Sequence, residues 1–260
     1  MKNGLLDMYE GALRWRAWHL MGIGPLRQRY ARSYLGQYWI VLGTLITVTA
    51  FGLLWSQLWR LPIQEFIPYV AVSHIGWSMV TGPLQDSIGS LQSNSYYFIN
   101  QRAPLTTVFV ANYYRNLIIF FHNILVVLAV LLWFRVNPGL PVLLVLPGLL
   151  VNAVISINLG ILIGLVCARY RDMQQIVGNA LQVMYFFTPV MWKPELLPEH
   201  ARWLADYNPF AQLLALIRDP FLGRPIDSLS WAVAVAFALF LSLVTPFILG
   251  KFGKQAAYWI

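Results

Sequence analysis

Hydrophobic and polar positions divide this chain into long uncharged stretches separated by short clusters of charge. Residues 36–59 hold no Asp, Glu, Lys, Arg or His. As a helix they would extend about 36 Å at ~1.5 Å per residue, enough to cross a hydrocarbon core of about 30 Å. The stretch begins well inside the chain and ends in the bulky residues Leu54, Trp55, Gln57, Leu58 and Trp59, unlike a cleaved signal peptide. Further stretches follow at 66–85, 116–134, 136–168, 173–192 and 228–250, which together predict six crossings.

Each later stretch carries a mark of its own. In 66–85, Pro68, Gly76, Gly82 and Pro83 predict an irregular helix facing protein or a water-filled path. His74 and Trp77 are spaced to share a face there, so interhelical packing and the lining of a conduit both remain open. His122 and Asn123 in the third stretch should turn towards other helices. Gly160 and Gly164 form a GxxxG step that permits close approach of a neighbour.

Three connecting regions are long enough to matter. Residues 1–35 form a cytoplasmic and interfacial region. Its run at 11–22, with Trp15 and Trp18 on one face between Arg14 and Arg16, predicts an amphipathic interface helix. Gly22, Gly24 and Pro25 should then break it before a second short basic helix. Residues 86–115, interrupted at Asn94-Ser95 and Ala103-Pro104, predict a connection with a short helix protruding towards a partner. Residues 193–227 carry five prolines and apolar runs too short to cross. Two short helices around 199–205 and 210–217 would make an outer re-entrant hairpin or cap.

Charge orients this pattern. The net charge of +8 falls wholly on segments that the six crossings place on one side, because the other side balances six positive with six negative residues. By the positive-inside rule both termini are cytoplasmic. An apolar content of 58%, only 11% charged residues and a mean hydropathy of +0.61 place the chain in the polytopic membrane class. Nucleic acid is disfavoured as a partner, since no basic array remains once the spans are removed. The single cysteine, Cys167, excludes an intrachain disulfide or a cysteine-rich metal site.

The chemistry that is missing narrows the function. No phosphate loop, zinc-binding HExxH or GxSxG nucleophile motif occurs, and the histidines at 19, 74, 122 and 200 are scattered. The chain is therefore expected to perform no bond chemistry, to hold no metal or cofactor, and to take energy for any active transport from another chain.

The run Leu26-Arg27-Gln28-Arg29-Tyr30-Ala31-Arg32-Ser33-Tyr34-Leu35-Gly36-Gln37-Tyr38-Trp39 resembles the opening signature of ABC-2 type permeases that export O-antigen, capsule and teichoic-acid polymers. Arg169-Tyr170-Arg171-Asp172, Thr188-Pro189-Val190 and Tyr207-Asn208-Pro209 resemble landmarks of that family in the same order, over roughly residues 10–255. The resemblance implies an all-α polytopic fold at 36–260, as a homodimer in the bacterial inner membrane carrying two copies of a separate ATPase that binds ATP and Mg. It also implies a lipid-linked polysaccharide as cargo. Arg27, Arg29 and Arg32 would meet the carrier diphosphate, with topology setting and headgroup anchoring as the rival role. Ser90, Asn94, Gln101 and Arg102 would belong to the coupling segment. An ABC-2 exporter of a drug or small lipid, a secondary transporter and a non-transport scaffold are the alternatives.

Overall fold

The computed structural model describes residues 2–101, 103–256 and 258–259, and these form twelve α-helices with no strand among them. In chain order they are α1 (Lys2–Leu13), α2 (Trp15–Tyr30), α3 (Tyr38–Leu58), α4 (Ile63–Ser87), α5 (Ser90–Ser93) and α6 (Ser95–Ile99). Then come α7 (Thr106–Trp133), α8 (Val145–Arg169), α9 (Asp172–Phe187), α10 (Trp203–Asp206), α11 (Pro209–Phe221) and α12 (Ser228–Ala256). Four segments are long and apolar enough to cross a membrane: Tyr38–Leu58, Thr106–Trp133, Leu140–Arg169 and Ser228–Ala256. The second and fifth predicted crossings, α4 and α9, do not reach that mark. Gln64, Glu65, His74, Gln85 and Asp86 dilute α4, and α9 has only 16 residues, about 24 Å of helix.

One of the two helices that miss that mark, α4, is the centre of the bundle. Most of α4 is buried, from Phe66 to Ser87, and α3, α7, α8 and α11 all pack on it. Pro68 and Pro83 lie inside one continuous helix, so the predicted irregularity is corrected. Enclosing helices can hold a proline-containing segment that would break if left alone. Gly76 serves close packing: a Cβ there would meet Leu214 of α11 at 2.8 Å. By contrast α3, one of the four long apolar segments, is peripheral and buries only Val48, Gly52 and Ser56. Those three positions, four residues apart, make one narrow stripe against α4, where a Cβ on Gly52 would touch Ile67 at 2.8 Å.

The GxxxG step of α8 works as expected. A Cβ on Gly160 would lie 2.6 Å from Ser87 Oγ, and one on Gly164 would lie 2.5 Å from the Phe109 ring, so these positions admit α4 and α7 together. In an apolar solvent such shape matching supplies much of the association, since lipid tails are as apolar as the side chains.

At the bundle end holding the loops 59–62, 134–144 and 188–227, the chain folds back inward. The expected helix at 199–205 is a 3-10 turn over Glu199–Ala201 followed by α10, and the expected helix at 210–217 extends to Phe221 as α11. Nearly all of α11 is buried against α4, α8 and α12. It is a wedge inside the protein.

The opposite, basic end is covered by α1 and α2. The expected single helix at 11–22 is instead two helices broken at Arg14, and α2 continues through Gly22, Gly24 and Pro25 to Tyr30. Gly22 is a contact point, because a Cβ there would meet Tyr114 of α7 at 2.8 Å. Both tryptophans fall in the first turn of α2, but in different surroundings. Trp15 is exposed, whereas Trp18 packs edge-on against Tyr114 at 5.0 Å and donates its indole N–H to Ala12 O. Leu5, Leu6, Tyr9 and Leu13 leave an apolar face of α1 uncovered.

Candidate functional site

Three surfaces are candidates for the site, and the first is basic. Arg27 and Arg29 occupy the last turn of α2, where cations complement the carbonyl end of the helix, and Arg32 follows in the turn leading to α3. All three are exposed, and none takes part in an ion pair among the described residues. The Arg29 guanidinium lies over the Tyr30 ring at 5.8 Å. Gly36, at φ +53°, turns the chain from this segment into α3.

The second surface is a groove of about 510 Å³ between α4 and α9, lined by Trp77, Thr81, Gln85, Gln182 and Tyr185 among others. Trp77 forms part of its wall but is only 6% exposed. Its ring is clamped by Tyr185 at 5.7 Å and Phe210 at 5.9 Å. His74 stands one turn further along α4 and shares a 3.1 Å hydrogen bond with the Tyr185 hydroxyl, outside the groove. The two residues therefore do share a face, and Tyr185 joins them. The groove's hydrogen-bonding groups come chiefly from Thr81, Gln85 and Gln182, which sequence reasoning passed over. Only Leu181 of α9 is buried, while Gln175, Asn179, Gln182 and Phe186 are exposed.

The third surface is the hairpin at 88–105, narrower than the expected 86–115 because Asp86 and Arg115 both lie inside helices. Arg115 donates to Asp86 at 2.7 Å, and Asn116 Nδ2 reaches the same carboxylate at 2.6 Å, tying α4 to α7 at the hairpin base. Leu91 and Phe98 anchor α5 and α6 in the core, and Gln92 donates to Cys167 O at the end of α8. Ser90 is buried and its hydroxyl donates to Ser87 O, which makes it an anchor rather than a contact surface. Asn94 is half-buried and returns its side chain to Ser90 O, and Gln101 is exposed. Arg102 lies outside the described residues. What the hairpin presents outward is Tyr96, Tyr97 and Ile99, at 63%, 39% and 55% exposure. Exposed aromatic and branched residues on a short projecting turn are the side chains that anchor protein interfaces. The signal was present in the run Ser95-Tyr96-Tyr97-Phe98-Ile99, which reads equally well as a packed loop.

Behind the groove, at the wedge end, lies a buried polar cluster that the sequence did not reveal. Arg218 of α11 donates to the Tyr69 hydroxyl of α4 and to Pro189 O, both at 3.1 Å, and pairs with Asp219 at 2.7 Å. The Tyr69 hydroxyl lies 2.9 Å from both Pro189 O and Trp192 O. The motif residues Thr188 and Asn208, remote in sequence, meet here at 3.1 Å, and Asn208 Oδ1 accepts from Phe210 N to cap α11. Two landmarks named from the sequence are thus halves of one joint.

The comparisons with known proteins bear on this arrangement. The family described as ABC-2 type transporter matches residues 18–222. The chain belongs to the ABC-2 type transporter family. That match takes in α3 to α11 and both halves of the Thr188–Asn208 joint. Among relatives, the O-antigen export system permease protein RfbA of Klebsiella pneumoniae is 21% identical over 203 residues, covering 78% of each chain. The protein of that name from Myxococcus xanthus is 23% identical over 213 residues, covering 81% of this chain and 82% of its own. The polysialic acid transport protein KpsM of Escherichia coli is 23% identical over 232 residues, covering 86% of each. An ABC-2 chain with these three surfaces can bind, guide and couple by non-covalent contact.

Proposed function

We propose that this chain is the permease subunit of an ATP-driven exporter of lipid-linked polysaccharide in the bacterial inner membrane. The observation that carries this reading is the polar and aromatic groove between α4 and α9, together with the outward face of α9. Gln175, Asn179 and Gln182 are costly in contact with lipid, so that face belongs against a wet path or a second copy of the chain. Two copies with their α9 faces opposed would enclose a conduit in which hydroxyl, amide and ring surfaces offer a glycan weak, repeatable contacts.

In this reading α4 and α9 complete six crossings, both termini are cytoplasmic, and the wedge of α10 and α11 is the outer re-entrant hairpin. The names of the relatives, O-antigen export permease and polysialic acid transport protein, support the cargo class. Arg27, Arg29 and Arg32 would engage the carrier diphosphate, because guanidinium groups form paired hydrogen bonds with phosphate. Trp77, held behind Tyr185, would form the conduit wall, with His74 fixing the Tyr185 hydroxyl. The hairpin, anchored by Ser90, would dock one of two partner ATPases, which bind ATP and Mg, through Tyr96, Tyr97 and Ile99, with Asn94, Gln101 and Arg102 beside them.

Reconstituted membranes holding the chain and its ATPase measure delivery of lipid-linked glycan separately from ATP turnover. Neutralising Arg27, Arg29 and Arg32 should weaken loading in a salt-dependent manner. Cysteines at position 182 should crosslink two copies. Export of a small amphiphile without any lipid-linked glycan would overturn the cargo assignment.

A further inference from the structure

A second amphipathic site lies elsewhere on the bundle, where nothing in the transport reading places a ligand. Near the basic end, α8 and α12 leave a groove of about 290 Å³ between them. Its walls are aliphatic and aromatic, with Leu165 and Val166 from α8 facing Ile248 and Phe252 from α12. Its mouth is cationic. The Arg169 guanidinium, in the last turn of α8, stands 5.3 Å from the centre of the Tyr170 ring and 5.2 Å from that of Trp259. The Trp259 ring in turn lies 6.2 Å from Phe252.

Arg169 is exposed, and among the described residues it makes no ion pair. Two aromatic rings restrict this side chain without neutralising it, so its rotamer freedom is lost before any anion arrives. Arg171, just past the end of α8, and Lys251, in the last turns of α12, are also exposed, with Asp172 beside Arg171 as a counter-charge. The site therefore calls for a ligand that is anionic at one end and aliphatic along its length. Val166, 44% exposed, opens the groove sideways, as a membrane-embedded ligand requires.

We propose that this groove binds an anionic glycerophospholipid, its phosphodiester on Arg169 and one acyl chain between Val166 and Ile248. A juxtamembrane cation attracts such headgroups, and a planar guanidinium adds directional hydrogen bonds to the phosphate oxygens. The site is separate from Arg27, Arg29 and Arg32, since α2 and α3 pack on α7 and α4 rather than lining this groove. The proposal rests on the membrane topology given above for the basic end, but not on the identity of the exported cargo.

Native mass spectrometry of the full-length protein, equilibrated in detergent with equal phosphatidylglycerol and phosphatidylcholine of the same chain length, tests it. The wild type should retain phosphatidylglycerol preferentially. Arg169→Gln should lower that retention about fivefold, the scale of one cation at a membrane surface, and lower phosphatidylcholine less, because its choline cancels the phosphate charge. Val166→Trp should fill the groove and reduce both lipids. Equal retention of the two lipids by the wild type, or an unchanged ratio in Arg169→Gln, would overturn the site. Displacement of the lipid by millimolar inorganic phosphate would overturn it in favour of a soluble anion. If Arg169 and Trp259 only pin the end of the chain, Trp259→Ala and Arg169→Gln will lower the melting temperature in lipid-free detergent and leave the lipid ratio intact. That result also sinks the proposal. Glycan delivery does not enter the readout, so failure here leaves the permease reading standing.

Discussion

Asp7 caps α7 from outside it: its Oδ1 accepts from both the backbone N–H and the hydroxyl of Thr106, at 3.0 and 2.7 Å, while Oδ2 accepts from Leu105 N at 2.9 Å. The helix supplies no side-chain cap of its own at Leu105, so a residue nearly a hundred positions earlier takes the role. The carboxylate also complements the positive end of the helix dipole.

Removing this cap should cost about 1 kcal/mol, the usual worth of an N-cap. Asp7→Ala is expected to lower the thermal midpoint of the detergent-solubilised protein, and Asp7→Asn to restore at least half of the loss through its remaining carbonyl oxygen. Equal midpoints for the wild type and Asp7→Ala would show that water replaces the carboxylate without cost.

The outward face of the hairpin should govern association with the ATPase. Tyr96→Ser or Ile99→Ser is expected to weaken the complex by roughly 2 kcal/mol, as interface anchors do. Ser90→Ala should leave affinity nearly unchanged, since Ser90 is buried. Co-purification at graded salt, with melting curves to confirm folding, distinguishes the two. A larger loss from Ser90→Ala than from either exposed residue contradicts the assignment.

Gly164 and Phe109 should behave as a coupled pair. Gly164→Ala forces a methyl group against the ring and should cost about 1–3 kcal/mol, the usual scale of overpacking. Phe109→Leu opens space at the same point, so the double variant should be more stable than the two single effects summed. Strict additivity would mean that the helices can separate freely there.

The Arg218 cluster offers the sharpest stability test. Arg218→Met leaves Asp219 without its partner and should cost about 3–5 kcal/mol, whereas Tyr69→Phe removes only hydroxyl hydrogen bonds and should cost about 1–2 kcal/mol. The double variant should fall short of the sum, because both side chains bond Pro189 O and each other. Melting curves on the four proteins provide the check.

Legibility followed charge. Four spans were plain because no Asp, Glu, Lys or Arg interrupts their apolar stretches, and among them α3 buries only three residues. Burial inside a bundle does not require the uninterrupted apolarity that lipid exposure demands, so Glu65, Asp86 and two prolines obscured the central role of α4. Arg27, Arg29 and Arg32 could be found because a solvated cluster keeps its residues together in the chain. Arg218 could not, since its partners Tyr69 and Pro189 come from distant elements and its neighbour Asp219 made it resemble a balanced surface loop. Tyr96 and Tyr97 were hidden for another reason: aromatic residues in a short connecting run look alike whether they face inward or outward.

The position of α11 also dictates an order of assembly. Its 13 residues make about 20 Å of helix, too short to be laterally released as a crossing, and α12, one of the three walls around it, is synthesised afterwards. The wedge therefore gains its third wall only once α12 has been made. Until then the Arg218–Asp219 pair is expected to be less enclosed than in the finished fold. Closure of α12 over α11 is the step that carries a charge into the interior, and a chain lacking its final span would retain its earlier helices but leave the wedge outside.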